Sequence, residues 1–198
     1  NDTLIMRDLS REQVVMRLSG DDLEIGIKEE GKAFSGLSDV LTIKNWRNHN
    51  NRIETIRFTD GDITAQNLTG YLTFGDEGQN FTWTESAADL SLGSGNDTIT
   101  TGNYGDTVIT GSGANKVFTA GGNDSIHVSA GASGSIVQGG VGNDSYSYGR
   151  AGGRVSLFDN YSEWDGAGSS FAGVDKRYHA GNDTLIMRDL SREQVVMR

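Results

Sequence analysis

Residues 139–147 read Gly139-Gly140-Val141-Gly142-Asn143-Asp144-Ser145-Tyr146-Ser147. Glycine holds three of the first four positions, an aspartate stands sixth and an aromatic residue eighth. Upstream, Asp97, Asp106, Asn115 and Asp124 follow one another at nine-residue steps, and two residues beyond each lies Ile99, Val108, Val117 or Ile126. Gly93 and Gly95, Gly102 and Gly105, Gly111 and Gly113, and Gly121 and Gly122 precede them. Near Ala132-Ser133-Gly134 the frame slips. Ile136 is expected to resume the apolar slot, and a last unit puts Gly153 in the acidic slot with Val155 after it. Sixteen of the 28 glycines fall in 93–153, so the enrichment belongs to one segment. Scattered Asn-Gly and Asp-Gly hairpin turns would not produce this correlated period. It predicts a glycine turn and a short strand in alternation, two units per coil, with the eighth residue facing inward. Successive coils then lie ~4.8 Å apart.

The pattern G-G-x-G-x-D-x-U-x resembles the calcium-binding nonapeptide of the RTX (repeats-in-toxin) family. A second stretch supports the resemblance. Asp21-Asp22-Leu23-Glu24-Ile25, Leu41-Thr42-Ile43-Lys44-Asn45-Trp46 and Arg52-Ile53-Glu54-Thr55-Ile56-Arg57-Phe58-Thr59-Asp60-Gly61 are similar to the β-rich segment that accompanies such repeats in haemolysin-type calcium-binding proteins. The expected fold is all-β, a right-handed parallel β-roll joined to an antiparallel β unit. The expected divisions are the haemolysin-type β segment at 1–65, a connecting β-hairpin at 66–92, the roll at 93–159, a long loop at 160–181, and 182–198.

The last division repeats residues 1–17, NDTLIMRDLSREQVVMR, letter for letter, 181 residues further on. A tandem array with that period explains the identity; engineered duplication is the alternative. In an array, Asp183 and Leu185 fit the acidic and apolar slots, and neighbouring repeats of the same chain would join head to tail. A hairpin is expected around Ser19-Gly20-Asp21-Asp22, and a second around Gly75-Asp76-Glu77-Gly78 between Tyr71–Phe74 and Phe81–Thr84. Asp60-Gly61 reads as a tight turn, and 8–13 as a turn or a single helical turn.

Stacked turns explain how such a repeat takes a cation. Turns on one edge recur every second unit, so Asp106, Asp124 and Asp144 share one edge. Asp97, Asn115, then Gly134 or Ser133, then Gly153 share the other. Two bare carboxylates one coil apart repel by about 1 kcal/mol in water and more at lower dielectric. Ca²⁺ reverses the sign and takes 6–8 oxygens. The candidate metal-binding residues are Asp106, Asp124, Asp144, Asp97 and Asn115, the turn glycines Gly102, Gly122, Gly140 and Gly142 through their carbonyls, and Asp183. Between 93 and 148 the acidic residues are Asp97, Asp106, Asp124 and Asp144 alone, all in the acidic slot. A solvated acidic face would scatter them.

Composition narrows the remaining classes. Net charge is −10, which argues against nucleic acid. Cysteine and proline are absent, so neither disulfides nor thiolate zinc sites arise. No apolar run reaches membrane-spanning length, and the first residues lack the basic start of a secretory signal. His49, His127 and His179 sit in no H-E-x-x-H motif, and no G-x-S-x-G occurs, so no enzyme is expected. Trp46, Trp83 and Trp164 read as core or interface packing, with a sugar platform as the alternative. Asp159, Asp165 and Asp175 could form an extra cation site. The resemblance implies a calcium-folded module of a secreted or cell-surface protein of a Gram-negative bacterium, exported by a type I system and serving as adhesin stalk or spacer. The alternative is a module that targets a toxin or enzyme to cell-surface glycan or membrane.

Overall fold

The structure, a computed structural model, describes residues 1–158 and 181–195. It has two units, Asn1–Thr73 and Phe74–Arg198. No α-helix occurs among the described residues; short 3₁₀ turns at Arg11–Gln13, Phe34–Gly36 and Leu68–Tyr71 supply the only helical geometry in the first unit.

In the first unit, β1 (Thr3–Ile5), β2 (Val14–Ser19), β3 (Asp22–Ile27), β4 (Val40–Ile43), β5 (Thr55–Phe58) and β6 (Gly61–Thr64) form two three-stranded sheets, β2-β3-β4 and β1-β5-β6. The sequence dictates the first by alternation. Val14, Met16, Leu23 and Ile25 are buried on one face, while Arg17 and Glu24 pair across the other at 2.8 Å. This is the period-2 pattern of a half-buried antiparallel sheet. Gly20, at φ +61°, makes the expected hairpin turn. In the second sheet β5 and β6 are antiparallel about the Asp60-Gly61 turn, and β1 lies parallel to β5.

The second unit is a parallel β-roll. β7 (Asn80–Trp83), β9 (Thr98–Thr101), β11 (Lys116–Phe118), β13 (Ile136–Gln138) and β15 (Ser156–Phe158) build one sheet; β8 (Asp89–Ser91), β10 (Thr107–Ile109), β12 (Ser125–His127), β14 (Ser145–Tyr148) and β16 (Thr184–Met187) build the other. The chain crosses between sheets after each strand, so every pairing is parallel. Phe81, Leu90, Ile99, Val108, Val117, Ile126, Val137 and Tyr146 form the buried inward column. A column one side chain wide stabilises the unit modestly, at roughly 1.5–3 kcal/mol per fully buried residue, against a chain entropy cost of about 1–2 kcal/mol for every residue fixed.

The structure alters three expectations. The hairpin around Gly75–Gly78 does not form: β7 pairs parallel with β9 as the first strand of its roll sheet, and Leu72 makes a single bridge to Met16. Beyond Ile126 the coil lengthens. Lys116 aligns with Ile136 and Ile136 with Ser156, twenty-residue steps in place of eighteen. The inward residues are therefore Val137 and Leu157, not Ile136 and Val155, and the acidic-slot position is Ser135, not Gly134 or Ser133. Val155 replaces Gly153 there. The expected cation site at Asp159, Asp165 and Asp175, most of the expected loop, and also Trp164 and His179, lie outside the described residues.

Candidate functional site

A row of slot-six side chains runs along each edge of the roll. On one edge Asp106 Oδ1 accepts the backbone N–H of Ala88 at 2.7 Å, Asp124 Oδ1 that of Asp106 at 2.8 Å, Asp144 Oδ1 that of Asp124 at 2.9 Å, and Asp183 Oδ1 that of Asp144 at 2.8 Å. On the other edge Asp97 Oδ1 takes the N–H of Gln79, Asn115 Oδ1 that of Asp97, and Ser135 Oγ that of Asn115. Each carboxylate thus ties its own turn to the preceding coil with one oxygen. The expected split into two unequal edges is present: the first carries four carboxylates in succession, the second a single one followed by an amide and a hydroxyl.

The other carboxylate oxygen is the chemical question. Asp97 Oδ2 and Asp124 Oδ2 are buried without a hydrogen-bond donor. Asp106 Oδ2 receives the Thr101 hydroxyl. None of Asp97, Asp106 and Asp124 pairs with a basic side chain; Lys116 is the sole Lys or Arg between 93 and 148. By contrast, several acids of the first unit meet basic side chains, Asp60 with Arg11, Asp22 with Lys44 and Asp62 with Arg57. Burial consequently pushes the carboxyls of Asp97 and Asp106 above their ordinary range. Asp124, 2% exposed, rises to about 7. Burial is the main cause there; the neighbouring charges of Asp144 and Asp106 add to it, and the Asp106 N–H opposes it. A buried carboxylate with no compensating charge is costly. It must hold a proton or face a cation.

Asn115 indicates what fills the space. Its Nδ2 donates to the carbonyl oxygens of Thr110 at 2.7 Å and Ser112 at 3.0 Å, in its own turn. An aspartate in the same slot offers those carbonyls no donor. Carboxylate and carbonyl oxygens then face each other, and a hard cation satisfies both. The donors are all oxygens, as Ca²⁺ prefers. Among the described residues no group of three or more His, Asp or Glu side chains stands together, so an ion here would rest on stacked aspartates and peptide carbonyls.

The turn glycines are dictated by approach as well as conformation. At Gly142 (φ +144°) a Cβ would come within 1.6 Å of the Gly122 carbonyl oxygen, and at Gly122 (φ +119°) within 2.1 Å of that of Tyr104. Gly140 is crowded in the same way by Ala120, and Gly102 by Thr84. The structure therefore brings the sequence-predicted residues Asp106, Asp124, Asp144, Asp183, Gly122 and Gly142 together in one stack of turns.

Sequence reasoning passed over a second inward column. Thr101, Thr110 and Thr119 are fully buried, two residues after each apolar slot. Thr119 donates to Gly139 O at 3.0 Å, and Thr110 accepts the Ser129 N–H at 3.1 Å. The same nine-residue step that revealed the aspartates carries them. Neither described tryptophan offers a sugar platform. Trp46 is buried beneath Arg52 with its N–H on Ile53 O, and Trp83 is buried against Phe81 with its N–H on Ser86.

Residues 22–63, spanning β3 to β6, match the family model described as haemolysin-type calcium binding protein related domain. That segment is similar to a haemolysin-type calcium-binding-related domain. With the parallel roll of nonapeptides in the second unit, the chain fits an RTX repeat protein. No curated protein and no solved structure matches the chain. No helix among the described residues is long and apolar enough to cross a membrane.

Proposed function

We propose that this chain is a calcium-binding structural module of a secreted RTX-type protein, folding on extracellular Ca²⁺ and serving as a stalk or spacer at a cell surface. The observation that carries the reading is the buried Oδ2 of Asp124, which receives no donor, in a row where Asp97, Asp106 and Asp124 have no basic partner. Asp106, Asp124, Asp144 and Asp183 hold the ions along one edge, with turn carbonyls such as those of Gly102, Gly122, Gly140 and Gly142. Asp97 contributes on the other edge. Asn115 belongs to the same row, and its amide does internally what the ion does for a carboxylate. Bound Ca²⁺ supplies charge compensation and oxygen coordination, and the role of the chain is structural.

Extracellular calcium modules bind at ~10⁻⁴–10⁻³ M, so cytosolic calcium leaves the ladder uncompensated and the roll unfolded. Metal affinity then becomes folding free energy delivered outside the cell. This suits export as an unfolded chain from a Gram-negative bacterium by a type I system. The test is equilibrium dialysis with radioactive calcium. The chain is expected to bind several ions at millimolar calcium, and the triple variant Asp106→Asn, Asp124→Asn, Asp144→Asn to lose most of them. Equal binding by both would remove the ladder as the site.

A further inference from the structure

The two copies of the 17-residue repeat form strands that use opposite edges. In β1, the carbonyl of Asp2 accepts the Thr55 N–H at 3.2 Å and the N–H of Met6 donates to Arg57 O at 2.8 Å. In β16, the N–H groups of Thr184 and Arg188 donate to Asp144 O at 2.8 Å and Tyr148 O at 2.7 Å. Thr184 and Arg188 are the counterparts of Thr3 and Arg7. Successive residues of a strand direct their backbone groups to opposite sides. The first copy therefore spends its even-numbered positions on β5, and the second spends the counterparts of the odd-numbered ones on β14. Neither use obstructs the other.

We propose that in a tandem array one copy makes both sets of bonds at once, as a joint strand shared by the roll of one module and the β5–β6 hairpin of the next. The pairings are parallel on both sides. The roll sheet would then run β8-β10-β12-β14-joint-β5-β6 without a break. The side chains agree with the backbone. The joint leucine lies opposite Tyr146 in one copy and Ile56 in the other, both buried. It would continue the inward apolar column from the roll into the next module. As things stand Leu185 is 57% exposed, Ile186 46% and its counterpart Ile5 56%. The aspartate divides its groups likewise: Asp183 Oδ1 accepts from Asp144, while the Asp2 N–H donates to Glu54. Beyond the strand, both copies form the same Ser-capped 3₁₀ turn. In the first copy Leu9 O takes the Thr59 N–H and Arg11 meets Asp60. An open strand edge of this kind invites another strand. The identity of the two copies names the occupant, a second copy of this chain.

The inference rests on the stalk reading above, and the two are separable by experiment. Proline is tolerated on an edge strand where its missing N–H faces no partner. Leu4→Pro removes a donor from β1 to β5 and frees the β5 edge; Leu185→Pro removes the equivalent donor from the open side of β16 and leaves its bonds to β14. In calcium, Leu4→Pro is expected to form linear oligomers by sedimentation, its mean mass rising several-fold with concentration, while the double variant Leu4→Pro/Leu185→Pro stays monomeric. A calcium-folded Leu4→Pro that remains monomeric, or a double variant that associates equally, overturns the joint and leaves the calcium reading intact. A two-module chain, residues 1–181 followed by 1–198, decides the matter independently of those variants. Hydrogen exchange in its internal copy should slow at the first leucine and first methionine N–H groups, the counterparts of Leu4 and Met6, by roughly a hundredfold relative to Leu185 and Met187 of the single module. Protection of alternate residues alone would overturn the proposal.

Discussion

Replacing Asp124 by Asn should change stability in opposite directions with and without calcium. The substitution keeps an Oδ1 to accept the Asp106 N–H, and it removes the charge. Asn115 already places an amide in this slot, with its Nδ2 on turn carbonyls. The Asp124 carboxyl lies at about 7 in the folded chain against 3.8 ordinarily. A raised value means that the folded state binds the proton more tightly. The stability it confers is fully present below about pH 4 and is lost as pH rises through about 7. At about 1.4 kcal/mol per unit, ionising this one buried group costs the metal-free roll about 4 kcal/mol at pH 8. The variant escapes that cost. In chelator at about pH 8, where the wild-type roll is largely unfolded, the variant should therefore show β structure that the wild type lacks, its folding equilibrium shifted by about 4 kcal/mol. At about pH 5, where the folded wild-type group is protonated and the unfolded one still ionised, the gain should fall to about 1.7 kcal/mol, and it should vanish below about pH 4. In millimolar calcium the variant should melt below wild type, having lost the shared carboxylate of two stacked turns. Calorimetry or circular dichroism at the two pH values reads all of this. Destabilisation of equal size in chelator and in calcium would refute the reasoning.

Further outcomes follow from the same geometry. Wild-type chain in chelator should regain β structure as pH falls from about 8 to 5, because Asp97, Asp106 and Asp124 all have raised values; far-ultraviolet circular dichroism checks the direction, and loss of structure on acidification over that range would contradict it. Asp124→Ala should abolish more calcium cooperativity than Asp97→Ala, since Asp124 lies between Asp106 and Asp144 whereas Asp97 abuts Asn115; equal losses in a calcium titration would reject the edge assignment. Gly142→Ala meets the Gly122 carbonyl at 1.6 Å and a left-handed φ, so it should cost at least about 3 kcal/mol and stay destabilised at saturating calcium, as thermal melts would report.

What the sequence revealed and what it hid have physical causes. Ile99, Val108, Val117 and Ile126 were legible because nine-residue coils repeat both the acidic and the apolar slot. The frame was lost beyond Ile126 because Ile136 and Val137 are adjacent β-formers and Ser135 is an inconspicuous ladder residue. The start of the roll was hidden for a related reason. In the coils of Phe81 and Leu90 the ladder needs only the backbone N–H of Gln79 and Ala88, so no aspartate marks the slot, and Gly75–Gly78 mimics a hairpin turn. The aspartate ladder was foreseen as a set of residues. Its lengthwise hydrogen bonds were not, because nothing in a linear pattern says which carboxylate oxygen is spent on the preceding coil. The Thr101, Thr110 and Thr119 column was readable from its period and was masked by the ordinary β-propensity of threonine.

The most direct test is far-ultraviolet circular dichroism of the chain at about pH 8, first in chelator and then across a calcium titration, with magnesium as the control ion. If calcium compensates the ladder, β structure is low in chelator, rises cooperatively with a midpoint at ~10⁻⁴–10⁻³ M calcium, and responds weakly to Mg²⁺, which demands a tighter octahedron. A β spectrum and melting temperature that are the same in chelator and in calcium would contradict the claim that this roll is held together by calcium.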